Sequence, residues 1–439
     1  MGMLDILLAI AKYTALAVVP LALYVVSVWG YRLAFDPLKE YPGPFAARVT
    51  HGYAGLKAFK KRLHLDTYHD HLKYGPVFRV APDRLVFNTV TALDDILLNP
   101  RVTKGRPYLG ARLNPTPSLF DTLDQEQHRQ KRKTLDPVVR ILGRKRILRY
   151  RRVLQAMIRS RMARPKDDKQ DLYAAAAGEE VVTSGEKALR GTELWSEATF
   201  LMAAGASTIS SLLAAAFFYL SCNPEVYKRL ATEIRTTFSS GLDIRSGPQL
   251  GGCRYLRAVI DETLRISPAS IGTLWRQQDP SFKHEPFVVD GHAIPPGVAV
   301  GISPYSLLHN EAYFPEPFTF RPERFLELDK TEGTVEEREA RATTRHAFAP
   351  FALGDRNCAG RALAYMEASL TLAKTIWYFD FQRAAGEAGQ VGGGKKGAED
   401  GRDRPDEFQL YDNIAADHDG PNLVFAARRE HWRDLLEGE

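Results

Sequence analysis

Hydrophobic and polar positions fall along this chain in blocks that predict helices for most of its length. Residues 13–31 carry no charge. As a helix they reach ~28 Å, close to the hydrocarbon thickness of a bilayer, so the pattern predicts a membrane span. Trp29 and Tyr31 stand where interfacial anchors are expected, Pro20 is tolerable inside a span, and Arg32 and Lys39 beyond it favour a cytosolic body, with Lys12 on the other side. The stiff stretch Tyr41-Pro42-Gly43-Pro44 then orients whatever follows. The reading is an anchor over 1–32, a hinge over 33–45 and a body over 46–439.

Within the body, 77–80 and 85–88 read as a β-hairpin through Ala81-Pro82-Asp83-Arg84, and 92–98 as a short helix closed by Asn99-Pro100. Good helix formers run from 124 to 135 and stop before Pro137. The longest apolar helical pattern of the body, 194–221, ends at Asn223-Pro224 and belongs in the core. A further helix is predicted over 255–266, stopped by Ser267-Pro268. An Asp290-Gly291 hairpin lies in 287–294, and Pro295-Pro296-Gly297 leads into an extended 298–300. Residues 327–345 read as an exposed charged meander, 362–379 as an apolar helix, 384–407 as a glycine-rich mobile loop and 423–428 as a last strand. The fold class is therefore mainly α with small β-sheets.

Length and composition widen the picture little. The 439 residues, 44% of them apolar, can bury a large core, and no fixed period suggests a repeat array. Three scattered cysteines, Cys222, Cys253 and Cys358, exclude a disulfide framework or a Cys-x-x-Cys metal site. Charge matters more. Between Arg129 and Lys166 stand fifteen Lys or Arg against Asp136 alone, within a chain of net charge +6. This run lacks the interleaved aromatics of a nucleic-acid binder; it reads as a solvated face or a docking surface for an acidic protein.

The candidate chemistry centres on Phe351-Ala352-Leu353-Gly354-Asp355-Arg356-Asn357-Cys358-Ala359-Gly360. One cysteine sits on a glycine-flanked loop that runs into a helix. Gly354 and Gly360 permit tight turns and close approach to a flat ligand, and a helix N-terminus lowers a thiol pKa, so Cys358 is expected as a thiolate facing a metal. Arg356 can pair with an anion and Phe351 can cover the sulfur.

The pattern Phe-x-x-Gly-x-Arg-x-Cys-x-Gly resembles the haem loop of the cytochrome P450 family, and further motifs follow in that family's order from about residue 42 to 428. The resemblance implies haem b ligated by Cys358. It implies His128 and Arg132, at the family's Trp-x-x-x-Arg, and Arg276 as holders of the haem propionates. Standing alone, a His/Arg pair in so basic a helix is a solvated face. Ala204-Gly205-Ala206-Ser207-Thr208 resembles the oxygen-binding stretch: Gly205 makes room, Thr208 supplies a hydroxyl, and Ser207 replaces the usual acid. Standing alone, the same run is close helix packing. Glu262, Arg265 and Arg324 match a buried structural triad, and 269–275 would face the substrate.

Two departures qualify the expectation. Ser207 supplies no ionisable proton near neutral pH. Residues 142–191 leave room for about three helices where the family fits four and the approach to the long central helix, so the distal lid is expected to be reduced. The resemblance implies a monooxygenase of fungal secondary metabolism, anchored by a single span in the endoplasmic reticulum membrane. It would oxidise a small apolar molecule with O2 and electrons from NADPH through cytochrome P450 reductase, without nucleic acid as a partner. A haem-binding but impaired form, or a haem-thiolate isomerase or dehydratase needing no external electrons, fits the same residues.

Overall fold

The computed structural model of the protein describes residues 2–112, 114–135, 191–329, 331–413 and 415–428. Helix α1 (Met3–Ala34) runs without a break through Pro20. Its apolar window, Lys12–Ala34, is not buried by the rest of the protein, and its length and composition suit a membrane crossing. Its C-terminal end is tied to α2 (Phe45–Val49), where Arg32 Nη1 donates to Val49 O at 2.5 Å. The hinge packs on the body. Fully buried Arg79 pairs with Asp36 at 3.0 Å, and Arg79 N donates to Pro42 O at 2.8 Å. Gly43, at φ +152°, is required there, because a Cβ would stand 2.5 Å from Arg79 O.

After α3 (Gly52–Phe59) and α4 (Leu63–Tyr74) comes the predicted hairpin, β1 (Val77–Ala81) and β2 (Arg84–Phe87). The next helix, α5 (Val90–Leu97), starts on Thr89, whose hydroxyl accepts from Ala92 N. Strand β3 (Val102–Lys104) and helix α6 (Gln125–Leu135) follow. The core helices are α7 (Gly191–Cys222), α8 (Pro224–Thr237) and α9 (Arg254–Ile266). Then come β4 (Leu274–Gln278), β5 (Val288–Val289), β6 (His292–Ala293), β7 (Ala299–Ile302) and α10 (Pro304–Leu308). The chain continues through α11 (Glu323–Leu328), α12 (Val335–Ala347) and α13 (Arg361–Tyr378), then β8 (Phe379–Arg383), β9 (Leu410–Tyr411), β10 (Asp417–His418) and β11 (Leu423–Ala427).

The largest sheet has the order β1-β2-β7-β4-β3, antiparallel except where β2 meets β7. It forms because the apolar residues of these strands are buried on both sides, as Phe78, Leu85, Phe87, Val300 and Ile302 show. The main helical core gathers around α7, whose Leu212, Phe218 and Tyr219 pack with Leu230 of α8, Leu264 of α9 and Leu372 and Ile376 of α13. An all-round apolar α7 is thereby explained as a core helix. Its end follows from Pro224, which opens α8 as N1, and from Asn223 Nδ2 donating to Tyr219 O at 2.8 Å.

Two expectations are corrected. Residues 331–340 are exposed as expected, although Leu328 is buried, and most of the 327–345 stretch is α12, started by a reciprocal capping box between Thr334 and Glu337. The segment 384–407, whose composition reads as a mobile loop, is packed. Gly393 bridges Phe408, Arg402 Nη1 donates to Gln409 Oε1 at 3.0 Å, and buried Glu407 accepts from the Tyr305 hydroxyl. Three of its glycines, Gly389, Gly393 and Gly394, serve backbone contact, whereas Gly386 and Gly397 face open space. At Gly394 a Cβ would lie 2.5 Å from the carbonyl oxygens of both Arg402 and Arg404. Residues 142–190 of the shortened stretch and the basic run beyond Leu135 lie outside the described residues.

Candidate functional site

The cysteine loop is held from three sides. Cys358 N donates to Phe351 O at 2.8 Å, closing the loop on itself. Arg132 of α6 donates to Asn357 twice, through Nη1 to its backbone oxygen at 2.6 Å and through Nη2 to Oδ1 at 2.8 Å. Arg356 Nη1 donates to Thr122 O at 2.8 Å, and its Nη2 reaches Leu123 O at 3.2 Å. Gly354 adopts φ +70° with Leu97 O where a Cβ would be, so this position demands glycine. Gly360 lies in the turn that enters α13 as its N-cap, with an ordinary φ of −81°.

Cys358 itself is exposed. The expected lowering of its pKa is overturned: surrounding protein pushes the thiol up by desolvation, against the opposing pull of the Gly360 N–H and Arg132. In the protein alone, then, the group is a thiol. A bound cation would deprotonate it.

Around the loop lies a group of cations. Lys104 of β3 and Arg276 of β4 are buried and directly opposite each other in register. Desolvation drives the Lys104 pKa well below the usual lysine range, and Arg276 and Arg356 add to the effect. Arg356 is lowered to about 10, first by burial and then by Arg276. His128, buried on α6, is pushed down to about 2 by burial and by Arg356, Lys104, Arg132 and Arg276, so it stays a neutral ring. The carboxylates in reach do not balance this. Asp121 is bound by Arg112 at 2.5 Å and by Ser118, while Asp124 and Asp355 are exposed. Buried like charges persist only where a counter-charge is expected, and the donor geometry suits carboxylates. Lys104 was not legible as a site residue; an isolated lysine in a short strand carries no motif.

On α7, Gly205, Ser207 and Thr208 are all half-buried. A Cβ on Gly205 would meet nothing within 4 Å, so the helix has a notch there. Thr208 Oγ1 donates back to Ala204 O at 2.6 Å, leaving its oxygen as an acceptor. Ser207 O accepts from Ser211 Oγ at 3.0 Å, and that hydroxyl also reaches Ala416 O at 2.7 Å.

The triad comes together. Arg265 Nε and Nη2 donate to the two oxygens of Glu262, each at 2.8 Å, and Arg324 Nε stands 3.4 Å from Glu262 Oε2, all three side chains being buried. Arg265 Nη1 also donates to Pro317 O at 2.8 Å and to Leu308 O at 3.0 Å, and Arg324 Nη1 to Pro315 O at 2.9 Å. These bonds pin the chain between α10 and α11. From there the Phe325 ring, 4.7 Å from that of Phe348, reaches the segment entering the cysteine loop.

The family model described as Cytochrome P450 matches residues 111–389. A cytochrome P450 monooxygenase of Alternaria alternata is 29% identical over 506 aligned residues, covering 92% of this chain and 95% of that protein. Another, from Penicillium oxalicum, is 29% identical over 523, covering 95% of each. A third, from Gibberella fujikuroi, is 42% identical over 247 residues, 56% of this chain and 63% of the relative. The first two alignments are longer than the chain itself, so those relatives carry segments that this chain lacks.

Proposed function

The chain belongs to the cytochrome P450 family of haem b monooxygenases, and we propose that Cys358 is the sulfur ligand of its iron, with Lys104, Arg276, Arg356 and Arg132 facing the haem carboxylates. One observation carries this assignment. Arg356, two residues before the cysteine, reaches Thr103 Oγ1 at 3.4 Å beside Lys104 on β3, Lys104 lies opposite Arg276 on β4, and Arg132 of α6 holds Asn357, so the basic side chains adjoin the cysteine loop. When bound, haem b supplies the activation of O2 and the insertion of one oxygen atom into a C–H bond.

The chain's own residues then do four things. Phe351 O and Arg132 hold the loop so that the sulfur is presented at a fixed place. His128 remains neutral, a ring donor that adds no further charge to the cations around it. Gly205 leaves space on the long helix, and Thr208, with its own proton committed to Ala204 O, can accept a proton-bearing partner. Glu262, Arg265 and Arg324 lock the segment that leads to the loop and touch no reactant.

Electrons would come from NADPH through a separate reductase. The substrate is read as a small apolar molecule of fungal secondary metabolism, in keeping with the fungal relatives, and α1 as the single anchor in the endoplasmic reticulum membrane. Ser207 supports a second reading, an isomerase or dehydratase that needs no acid to deliver protons. The reduced, carbon-monoxide difference spectrum of the membrane-expressed protein tests the first assignment: a thiolate-type Soret band that is lost in Cys358→Ala supports it. Substrate conversion that persists without NADPH would favour the second.

A further inference from the structure

The two adjacent carboxylates of α9 point to different neighbours. Glu262 goes to the triad, whereas buried Asp261 faces α13, where its Oδ1 accepts from the Tyr365 hydroxyl at 2.7 Å. Arg257, one turn earlier on α9, donates to Asp261 Oδ2 at 2.8 Å and lays its guanidinium over the Tyr365 ring, 3.6 Å from the centroid. The phenol is therefore fixed at its tip and across one face. Its ring stands 5.3 Å from that of Phe351, tilted by 50°. Phe351 in turn accepts the Cys358 N–H, so Tyr365 braces the residue that closes the cysteine loop.

This arrangement is built at a cost. Burial holds the Asp261 carboxyl above the usual range in spite of Arg257. It also pushes the Tyr365 hydroxyl well above an ordinary phenol, with Asp261 adding to the effect. A buried carboxylate is an expensive way to hold one phenol if packing alone were needed.

Resting on the assignment of Cys358 as haem ligand, we propose that Tyr365 is a positioning residue: held by Asp261 and Arg257, it sets the pose of the Phe351 ring and thereby the reduction potential of the iron bound at Cys358. The physical route is short. Hydrogen bonding at a ligating sulfur sets how strongly it donates to the metal, and the Cys358 N–H is held away from that role by its bond to Phe351 O at 2.8 Å. When Tyr365 no longer fixes Phe351, that bond loosens, the freed N–H can turn toward the sulfur, its donation weakens, and the reduced metal is favoured.

The test uses the full-length, haem-loaded protein and reads the ferric/ferrous midpoint by spectroelectrochemical titration, with the carbon-monoxide spectrum and a thermal melt beside it. Tyr365→Phe keeps the ring and loses the bond to Asp261; Tyr365→Leu loses both. The expected result is a thiolate-type band in both variants, with the midpoint moved upward in Tyr365→Phe and further in Tyr365→Leu. An unmoved midpoint in haem-loaded variants, with only a lower melting temperature, overturns the inference and leaves a structural brace. A wild-type protein without the thiolate band overturns both this inference and the Cys358 assignment on which it rests.

Discussion

Lys104 and Arg276 lie directly opposite each other across β3 and β4, two buried cations in register where a sheet ordinarily pairs opposite charges. Like charges so placed are destabilising, and neither is matched within the sheet by a carboxylate partner in the register. Lys104 Nζ donates to Phe120 O at 2.6 Å and its charge is disfavoured in the haem-free protein; in the site proposed for Cys358, the haem carboxylates would supply the anion that restores it.

The first prediction follows from the sign of the Lys104 shift. A lysine whose pKa is lowered on folding leaves the folded state with fewer protons than the unfolded one. Haem-free protein should therefore gain stability as pH rises toward the unfolded lysine value, by at most about 1.4 kcal/mol per pH unit for this group. His128, lowered to about 2, acts only below its unfolded value of about 6.5. Denaturant titrations of haem-free protein between about pH 7 and 8.5, below the unfolded thiol range, should show the rise in wild type and a flatter line in Lys104→Met. The same variant should release haem faster.

Breaking the triad should be costly. Glu262→Ala leaves Arg265 and Arg324 buried without their shared carboxylate, a loss of about 3–5 kcal/mol. Thermal melts and the yield of haem-loaded protein should both fall, whereas an exposed pair such as Arg254 with Asp329 should cost at most about 1 kcal/mol when removed.

Ser207→Asp should restore an ionisable group beside Thr208. General acid catalysis contributes roughly 10²–10⁴-fold where a proton is limiting. With a turned-over substrate, the share of NADPH electrons recovered in product should rise against hydrogen peroxide, and Thr208→Ala should lower it. No change in that ratio in either variant would remove both residues from the proton path.

Ala352, two residues before Gly354, holds a left-handed φ of +56°. For a residue with a Cβ this costs ~1–2 kcal/mol, of which glycine returns part to the entropy of the unfolded chain. Ala352→Gly should stabilise the loop by about 0.5–1 kcal/mol in chemical denaturation. Gly354→Ala should do the reverse, because its Cβ would meet Leu97 O.

The packed segment 384–407 makes a sharper test of composition. Gly394→Ala should destabilise by about 1–3 kcal/mol, since its methyl would press on two carbonyl oxygens that cannot retreat without moving the strandlike bridge at Gly393. A tolerant response would mean that the segment gives way as a loose loop does.

Periodicity and punctuation carried most of the element boundaries. Apolar runs stopped at Asn223-Pro224 and Ser267-Pro268, and the Asp290-Gly291 hairpin turned as its residue types require, because these signals act within one or two turns of chain. The order of the Phe-x-x-Gly-x-Arg-x-Cys-x-Gly, Glu-x-x-Arg and Ala-Gly-Ala-Ser-Thr motifs was equally legible, and with it the family. Tertiary structure decided what depends on distant partners. Lys104 comes opposite Arg276 only because β3 pairs with β4, and the thiol of Cys358 rises because desolvation by the surrounding protein outweighs the Gly360 N–H and Arg132. Gly389, Gly393 and Gly394 proved to be contacts because other backbone came to meet them, and Asp261 found Tyr365 only where α9 lies against α13. Local propensity is written residue by residue along the chain; charge environments and close approaches are set by which segments the fold places side by side.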